Sequence, residues 1–225
     1  MDEFALIRRY FARLTAAHAG VVLGVDDDAA LLAPQPGSQL VVTTDTLIAG
    51  RHFPESTAPF DIGWKSPAVN LSDLAAMGAT PRWFLLALSL PDADARWLEP
   101  FASGLRALAD RHHVALVGGD TTRGPLAITI TAIGEVPAGE ALLRSGARVG
   151  DLICVTGTLG DAGLALALRP GLGIRDSGLG DSFLMARLNR PEPRVAAGIA
   201  MRGIATAAID LSDGLAGDLQ HILDA

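Results

Sequence analysis

Residues 40–47 read Leu-Val-Val-Thr-Thr-Asp-Thr-Leu, an apolar and β-branched run that ends in polar side chains. The first three residues have the composition of a buried strand. Thr43, Thr44 and Asp45 then place three oxygen-bearing side chains in succession, and oxygen atoms are the ligands that Mg²⁺ prefers. The stretch therefore predicts a strand that presents a metal or phosphate site where it ends.

Three later stretches read as further strands of the same sheet. Residues 83–88 and 114–117 are apolar runs, and 126–132 alternate in the manner of an antiparallel neighbour. A helix is predicted over 65–77 and another between the strands at 83–88 and 114–117. The predicted fold class is α+β, with an N-terminal α/β domain built on a mixed four-stranded sheet.

The helix predicted over 65–77 carries an acid in unusual surroundings. Asn70 and Asp73 are three residues apart and share one helix face, whereas most neighbouring residues are apolar. A solvated carboxylate is rarely found in so apolar a helix, so Asp73 is a candidate for site chemistry.

Other carboxylates occur in comparable settings. Asp26-Asp27-Asp28 precedes an apolar strand, Asp120 follows two glycines that would let the backbone approach a phosphate, and Asp210 and Asp213 follow the apolar stretch 207–209. Three adjacent acids repel one another, so burying 26–28 without cations would be costly, and an exposed acidic turn is an equally good interpretation of that triplet. Our central hypothesis is that the dispersed acids gather into one magnesium-rich nucleotide site.

A change of composition around residues 135–150 indicates a domain boundary. We predict an N-terminal domain over 1–137 and a C-terminal domain over 138–225. The second domain shows two predicted strands, at 152–155 and 207–210, and the single cysteine, Cys154, is expected to be buried and inert in the first of them. Since two strands rarely make a stable sheet, we expect this domain to be incomplete.

The overall composition narrows the function classes. The formal net charge of −7 argues against a nucleic-acid surface, but not against nucleotides, because divalent cations can bridge acidic side chains to phosphates. No run approaches the ~18 to 20 apolar residues of a membrane span. The acids at Asp2 and Glu3 stand where a signal peptide would be basic, so a cytoplasmic protein is predicted. A lone cysteine excludes an internal disulfide and a cysteine-based metal site.

Taken together, the motifs resemble the thiamine-monophosphate kinase family, within the superfamily of aminoimidazole ribonucleotide synthetase and selenophosphate synthetase. The similarity lies in residues 24–29, 43–53, 68–78, 118–124 and 208–215. Their order and spacing span nearly the whole chain. The resemblance implies an N-terminal sheet that pairs with that of a second subunit in a homodimer. It also implies that ATP is held at the junction with a C-terminal α/β domain.

Site residues are implied by the same resemblance, position by position. Magnesium-ligand positions hold Asp28, Thr43, Thr44, Asp45, Asp73, Asp120, Asp210 and Asp213. ATP-contacting positions hold Gly119, Asp120, Arg144 and Ser212, and His52 falls on a position that contacts the thiamine phosphate. The catalytic set implied is Asp45, Asp73, Asp120 and Arg144.

The implied reaction is transfer of the ATP γ-phosphoryl group directly onto the phosphate of thiamine monophosphate, assisted by several Mg²⁺ ions. Two features depart from the family. The family has Gly-Asp-Asp where this chain has Asp26-Asp27-Asp28, and it continues past the position of Ala225 with residues that help to bind the thiamine ring.

Three alternatives stay open at this point. A sister ATP-dependent synthetase of the same superfamily would share the acids but differ around His52. A haloacid-dehalogenase-like phosphatase would need Thr and Lys motifs after an Asp-x-Asp triplet, and these do not follow Asp26-Asp27-Asp28. A catalytically incomplete magnesium-nucleotide binder or dimerisation fragment is the third.

Overall fold

The computed structural model describes residues 3–11, 14, 18–25, 27–168 and 181–225. Asp26, which belongs to the predicted acidic triplet, lies outside this set. In chain order the elements are α1 (Glu3–Tyr10), β1 (Val21–Leu23), β2 (Leu31–Leu32), β3 (Ser38–Ile48), α2 (Pro59–Ala76), β4 (Thr80–Leu90), α3 (Ala95–His112), β5 (Ala115–Arg123), β6 (Ala127–Pro137), α4 (Asp161–Ala167), α5 (Asp181–Asn189), α6 (Val195–Ala200) and α7 (Leu215–Leu223).

A mixed four-stranded sheet in the order β3-β6-β4-β5 forms the centre of the molecule. Strand β6 runs antiparallel to both β3 and β4, and β4 and β5 are parallel. Parallel neighbours need a crossover connection, and α3 supplies it between β4 and β5. The predicted α+β class and the mixed four-stranded sheet are confirmed.

Helices α2 and α3 cover one face of this sheet and bury its main core. Phe84, Leu86 and Ile130 from the strands pack there with Leu74 and Leu105 from the helices. Helix α2 begins earlier than predicted, because Pro59 is accommodated in its first turn, where a missing backbone N–H costs nothing. Asp94 caps α3 by accepting a hydrogen bond from the Arg96 amide.

The two helices approach each other through a pair of glycines. A Cβ on Gly63 would lie 2.0 Å from the Phe101 carbonyl oxygen, and a Cβ on Gly104 would lie 2.0 Å from that of Phe60. No side chain fits into these spaces. The absence of a Cβ at both positions is therefore what lets α2 carry Asp73 along the sheet at this depth.

The other face of the sheet is only partly covered. The small β1–β2 hairpin packs over Trp83, Ala115 and Val117. Along β3, by contrast, the outward-facing apolar side chains Leu40 and Val42 are exposed, Val42 by 60%. This side of β3 is an apolar strand face without a covering layer in the described part of the chain.

Strand β5 is longer than predicted, because the glycines and the acid after 114–117 belong to the strand and not to a loop. Gly119 has a φ of +146°, and a Cβ there would lie 1.9 Å from the Leu86 carbonyl oxygen. A one-residue irregularity in the β4–β5 register precedes this point, between Phe84 and Leu85. Glycine is thus required by a close approach of two backbones at a bulge.

Two predictions for the second domain are wrong. Residues 152–155 and 207–210 have no regular secondary structure, and Cys154 is exposed, not buried. Leu152 is 90% exposed. An apolar run becomes a strand only where a neighbouring strand accepts its hydrogen bonds, and none of the described strands lies beside these segments.

Replacing Gly63 by alanine should lower the free energy of unfolding by about 2 to 3 kcal/mol, because the added methyl group would force α2 and α3 apart. Gly163→Ala in α4 is the matched control, since nothing lies within 4 Å of its Cβ position. That variant should gain up to about 1 kcal/mol from helix propensity alone. Urea denaturation measures both, and a Gly63→Ala protein as stable as the control would contradict the close crossing.

Candidate active site

Strand β3 and helix α2 bring two predicted metal-ligand residues into direct contact. Thr43 and Asp45 lie on the side of β3 that faces the helices, as their register with Ala132 and Ile130 shows. The Thr43 hydroxyl donates a 2.6 Å hydrogen bond to Oδ2 of Asp73 on α2. Residues 30 positions apart in the chain are therefore joined at one point.

Asp45 and Asp73 form an acidic pair at this contact. Partial burial raises the pKa of Asp45, the negative charge of Asp73 raises it further, and a hydrogen bond between the two carboxyls acts in the same direction. The nearby His52 opposes this shift. Two partly buried carboxylates this close together repel each other, so the pair forms a place where a bound cation would be favourable.

Asp210, in the segment between α6 and α7, adds a third acid to this pair. Burial and the charge of Asp73 raise the pKa of Asp210 to about 6, against an opposing hydrogen bond from the Ser72 side chain. Ser72 and Asp210 belong to the two similar motifs, Asn-Leu-Ser-Asp-Leu at 70–74 and Asp-Leu-Ser-Asp-Gly at 210–214. The two motifs thus meet in space. Asp45, Asp73 and Asp210 are hereafter called the acid triad.

A cavity of about 290 Å³ opens beside the acid triad. Thr43, Asp73 and Asp210 line it together with Arg144, which contributes the positive charge of the lining. His52 lies next to the triad, and its Nδ1 accepts a 3.0 Å hydrogen bond from the Ile48 amide. That bond fixes the ring and leaves Nε2 as the nitrogen available to a ligand.

The remaining predicted site residues lie elsewhere in this chain. Asp28, Gly119 and Asp120 line a second, larger cavity of about 970 Å³. Asp120 pairs with Ala87, Ala87 with Thr129, and Thr129 with Thr46, so Asp120 belongs to the outer face of the sheet, opposite to Asp45. Thr44 also faces outward, and its hydroxyl lies 2.9 Å from that of Thr131. Ser212 and Asp213 are exposed in the turn before α7.

Asp218 is a buried acid that the sequence reasoning missed. Its Oδ2 accepts hydrogen bonds from the backbone amides of Ser212, Asp213 and Gly214, at 3.0 to 3.1 Å. Asp218 therefore shapes the turn that carries two of the predicted ligand residues. A carboxylate in the first turn of a helix is the signal that could have revealed it.

The donor set of the acid triad is chemically suited to a divalent cation. Carboxylates and a threonine hydroxyl are hard oxygen ligands, and a cation among them would offset both the burial and the mutual repulsion that raise the pKa of Asp45 and Asp210. Within the residues that the structure describes, no three His, Cys, Asp or Glu side chains are grouped closely enough to hold a metal ion. The residues fit Mg²⁺ in type, with room for water and phosphate oxygens among the ligands.

Comparison with known proteins decides the family. Residues 26–136 match the model of the AIR synthase related protein, N-terminal domain. The thiamine-monophosphate kinase of Escherichia coli K12 is 51% identical over 224 residues, which is 99% of this chain and 69% of the relative. This chain belongs to the thiamine-monophosphate kinase family. The family and the enzyme class predicted from the motifs are thereby confirmed.

Solved structures of family members have the same fold. The thiamine-monophosphate kinase of Stenotrophomonas maltophilia K279a superposes with a TM-score of 0.89 at 53% identity, covering 99% of this chain and 71% of that one. AaThiL complexed with AMPPCP and TMP gives a TM-score of 0.78 at 32% identity, covering 99% and 69%. In the described part of this chain, every helix is too short or too polar to span a membrane.

Asp210→Asn should stabilise the protein in metal-free buffer near neutral pH. Because the folded-state pKa of Asp210 lies near 6, above the unfolded value of 3.8, its ionisation destabilises the folded state as pH rises from about 4 to 6. After allowance for solvent screening, the gain is on the order of 1 to 2 kcal/mol at about pH 7.5 and vanishes below about pH 4. Urea denaturation at both pH values measures it.

The control for this measurement is Asp213→Asn, three residues along the chain and exposed. It removes the same formal charge without relieving a buried repulsion, so its stability should stay within about 0.5 kcal/mol of the parent. An Asp210→Asn gain that is equal at the two pH values would show that ionisation of the Asp210 carboxyl is not its cause.

Proposed function

We propose that this chain transfers the γ-phosphoryl group of ATP to the phosphate of thiamine monophosphate, giving thiamine diphosphate, and that the acid triad holds Mg²⁺ for the reaction. The observation that carries the proposal is the junction of β3, α2 and residues 208–210, where Thr43, Asp73 and Asp210 line a cavity with Arg144 and the charge of Asp45 acts on both acids. The AaThiL structure with AMPPCP and TMP supports the choice of the two ligands.

The reaction requires that the two phosphorylated substrates be positioned and their negative charge neutralised, and it has less need of a general base. The nucleophile is a phosphate oxygen that is already anionic, so no side chain has to remove a proton from it. The difficulty is to bring two polyanions into contact. Bound Mg²⁺ would supply Lewis acidity and positive charge, with Thr43, Asp45, Asp73 and Asp210 to hold it. Arg144 would add a fixed positive charge on the same cavity wall.

The remaining residue roles are taken from the matching positions of the family, and they are part of the proposal. Gly119, Asp120, Arg144 and Ser212 are assigned to ATP, His52 to the thiamine phosphate, and Asp28, Thr44, Asp120 and Asp213 to further Mg²⁺ ions. The electrostatic influence of His52 on Asp45 supports its assignment. The cavity lined by Asp28, Gly119 and Asp120 is of a size that accepts a nucleotide. A cytoplasmic location stays a prediction.

Asp73→Asn should reduce phosphoryl transfer at least 10³-fold, because Asp73 touches both Thr43 and Asp45 and an amide is a far poorer Mg²⁺ ligand. The fold should persist, since the asparagine carbonyl can still accept the hydrogen bond from Thr43. Formation of thiamine diphosphate and ADP, followed with the purified protein, measures the loss. Thermal unfolding measures the fold.

Asp110→Asn is the matched control, an exposed acid on a helix of the same domain. It should leave turnover unchanged. A variant at Asp73 that keeps near-normal turnover would end the proposed role of the acid triad. Binding of AMPPCP by the parent protein without any turnover of thiamine monophosphate would favour the alternative of a nucleotide-binding fragment.

We extend the proposal to a homodimer formed through the outer face of the sheet. Leu40, Val42 and Ile48 are exposed along β3, and monomeric proteins rarely leave so long an apolar strand face open. Asp120 and Thr44 lie on the same outer face, so dimerisation would bring them to the subunit boundary.

Val42→Glu should convert the dimer to a monomer, because it would place a charge at the centre of the proposed interface. Leu223→Glu makes the same exchange at an exposed leucine of α7, remote from the sheet, and should remain dimeric. Light scattering coupled to size-exclusion chromatography distinguishes the two states. A Val42→Glu protein that is still dimeric would place the interface elsewhere.

A further inference from the structure

Lys65 is the only lysine in the chain, and the other 17 basic residues are arginines. It lies on α2, eight residues before Asp73, and its Nζ donates a 3.3 Å hydrogen bond to the backbone carbonyl of His52. The side chain is partly buried, and burial alone lowers the pKa of its ammonium group. The sequence reasoning assigned no role to this residue.

Lys65 forms no ion pair with any of the residues that the structure describes. Several partly buried arginines have acidic partners, such as Arg82 with Glu135 and Arg187 with Asp161. Among the described residues, no carboxylate lies within 4.0 Å of Nζ of Lys65, and no acid contributes to its pKa shift. An ammonium group carries three donors, and one carbonyl satisfies one of them. Withdrawing such a group from water is unfavourable unless an anion completes its shell.

The position of Lys65 relates it to the candidate site. The carbonyl that it contacts belongs to His52, whose charge acts on the pKa of Asp45. At 1.5 Å per residue, Lys65 and Asp73 are separated by about 12 Å along the axis of α2. The helix thus carries Asp73 near its end, against β3, and Lys65 about two turns earlier, against the loop that follows β3.

We infer that Lys65 binds the phosphate group of the phosphoryl acceptor, between α2 and the loop of residues 49–53. This inference rests on the proposed function. Phosphates that bring Mg²⁺ with them are suited to the acid triad, whereas a monophosphate monoester needs a direct cationic donor, and the ammonium of Lys65 supplies it. Nε2 of His52 lies on the same loop and can share the phosphate oxygens.

Binding measurements with three variants test the assignment. Lys65→Met keeps the length of the side chain and removes its charge, Lys65→Arg keeps the charge, and Arg96→Met removes a fully exposed positive charge as the matched control. Isothermal titration calorimetry with thiamine monophosphate, with thiamine and with AMPPCP gives the affinities. We expect Lys65→Met to lower the affinity for thiamine monophosphate about tenfold or more. Its affinities for thiamine and AMPPCP should change less than about twofold, and Lys65→Arg should recover part of the loss.

A Lys65→Met protein that loses affinity for thiamine and its monophosphate equally, or for neither, would overturn the inference. The first result would show that the side chain shapes the pocket without contacting the phosphate. The second would show that the ammonium group takes no part in binding. The Arg96→Met control should bind all three ligands as the parent does.

Chemical modification gives a readout that is independent of turnover. Because Lys65 is the only lysine, an amine-acylating reagent followed by mass spectrometry of the peptide that contains it reports on this ammonium group alone. Inorganic phosphate should slow the modification several-fold, and chloride at equal ionic strength should not. Absence of protection by phosphate overturns the inference. Protection by phosphate without any phosphorylation of thiamine monophosphate contradicts the proposed function instead, and it leaves the anion-binding role of Lys65 standing.

Discussion

Repulsion between carboxylates at the junction of β3, α2 and residues 208–210 is the constraint on which the site depends. Burial and mutual charge raise the pKa of both Asp45 and Asp210, so the folded chain without a cation holds these acids at an energetic cost. The surrounding core offsets that cost. The glycine crossing of α2 and α3 and the buried side chains beneath them fix α2 against the sheet, and α2 holds Asp73 in place. A site strained by its own charge is one that a divalent cation stabilises on binding.

The features best predicted from the sequence are those that depend on neighbouring residues in the chain. The strands at 40–47, 83–88 and 126–132 were found because alternation and β-branched composition are properties of neighbouring residues. An acid within an apolar helix likewise marked Asp73. The strands predicted at 152–155 and 207–210 failed because a strand also needs a hydrogen-bonding neighbour far away in the chain, and composition carries no information on whether that neighbour exists.

The position of Asp120 shows a second limit of prediction from sequence. A bulge within a strand changes which face of the sheet the following side chains occupy. Before the irregularity in β5, Leu116 pairs with Phe84, and an unbroken register would have paired Asp120 with Leu88 on the helix-facing side. One additional residue at the bulge pairs it with Ala87 and turns it to the outer face. The motif Gly-Gly-Asp contains the glycine that permits the bulge. The motif alone does not determine on which face of the sheet its acid lies.

An acidic protein that handles two phosphorylated ligands has to supply positive charge in some form. Under the proposed function, the acid triad would supply this charge through a bound divalent cation, which would couple nucleotide binding to metal supply. Arg144 and Lys65 answer it directly, from opposite ends of the Asp73 region of α2. Lys65 lies apart from the acid triad, whereas a lysine placed within the triad would form an ion pair with its acids and be less available to a phosphate. Among the described residues, acids surround Asp73 but none contributes to the pKa shift of Lys65. The proposed site needs both features, because the acids would hold the cation and the unpaired lysine would hold the phosphate.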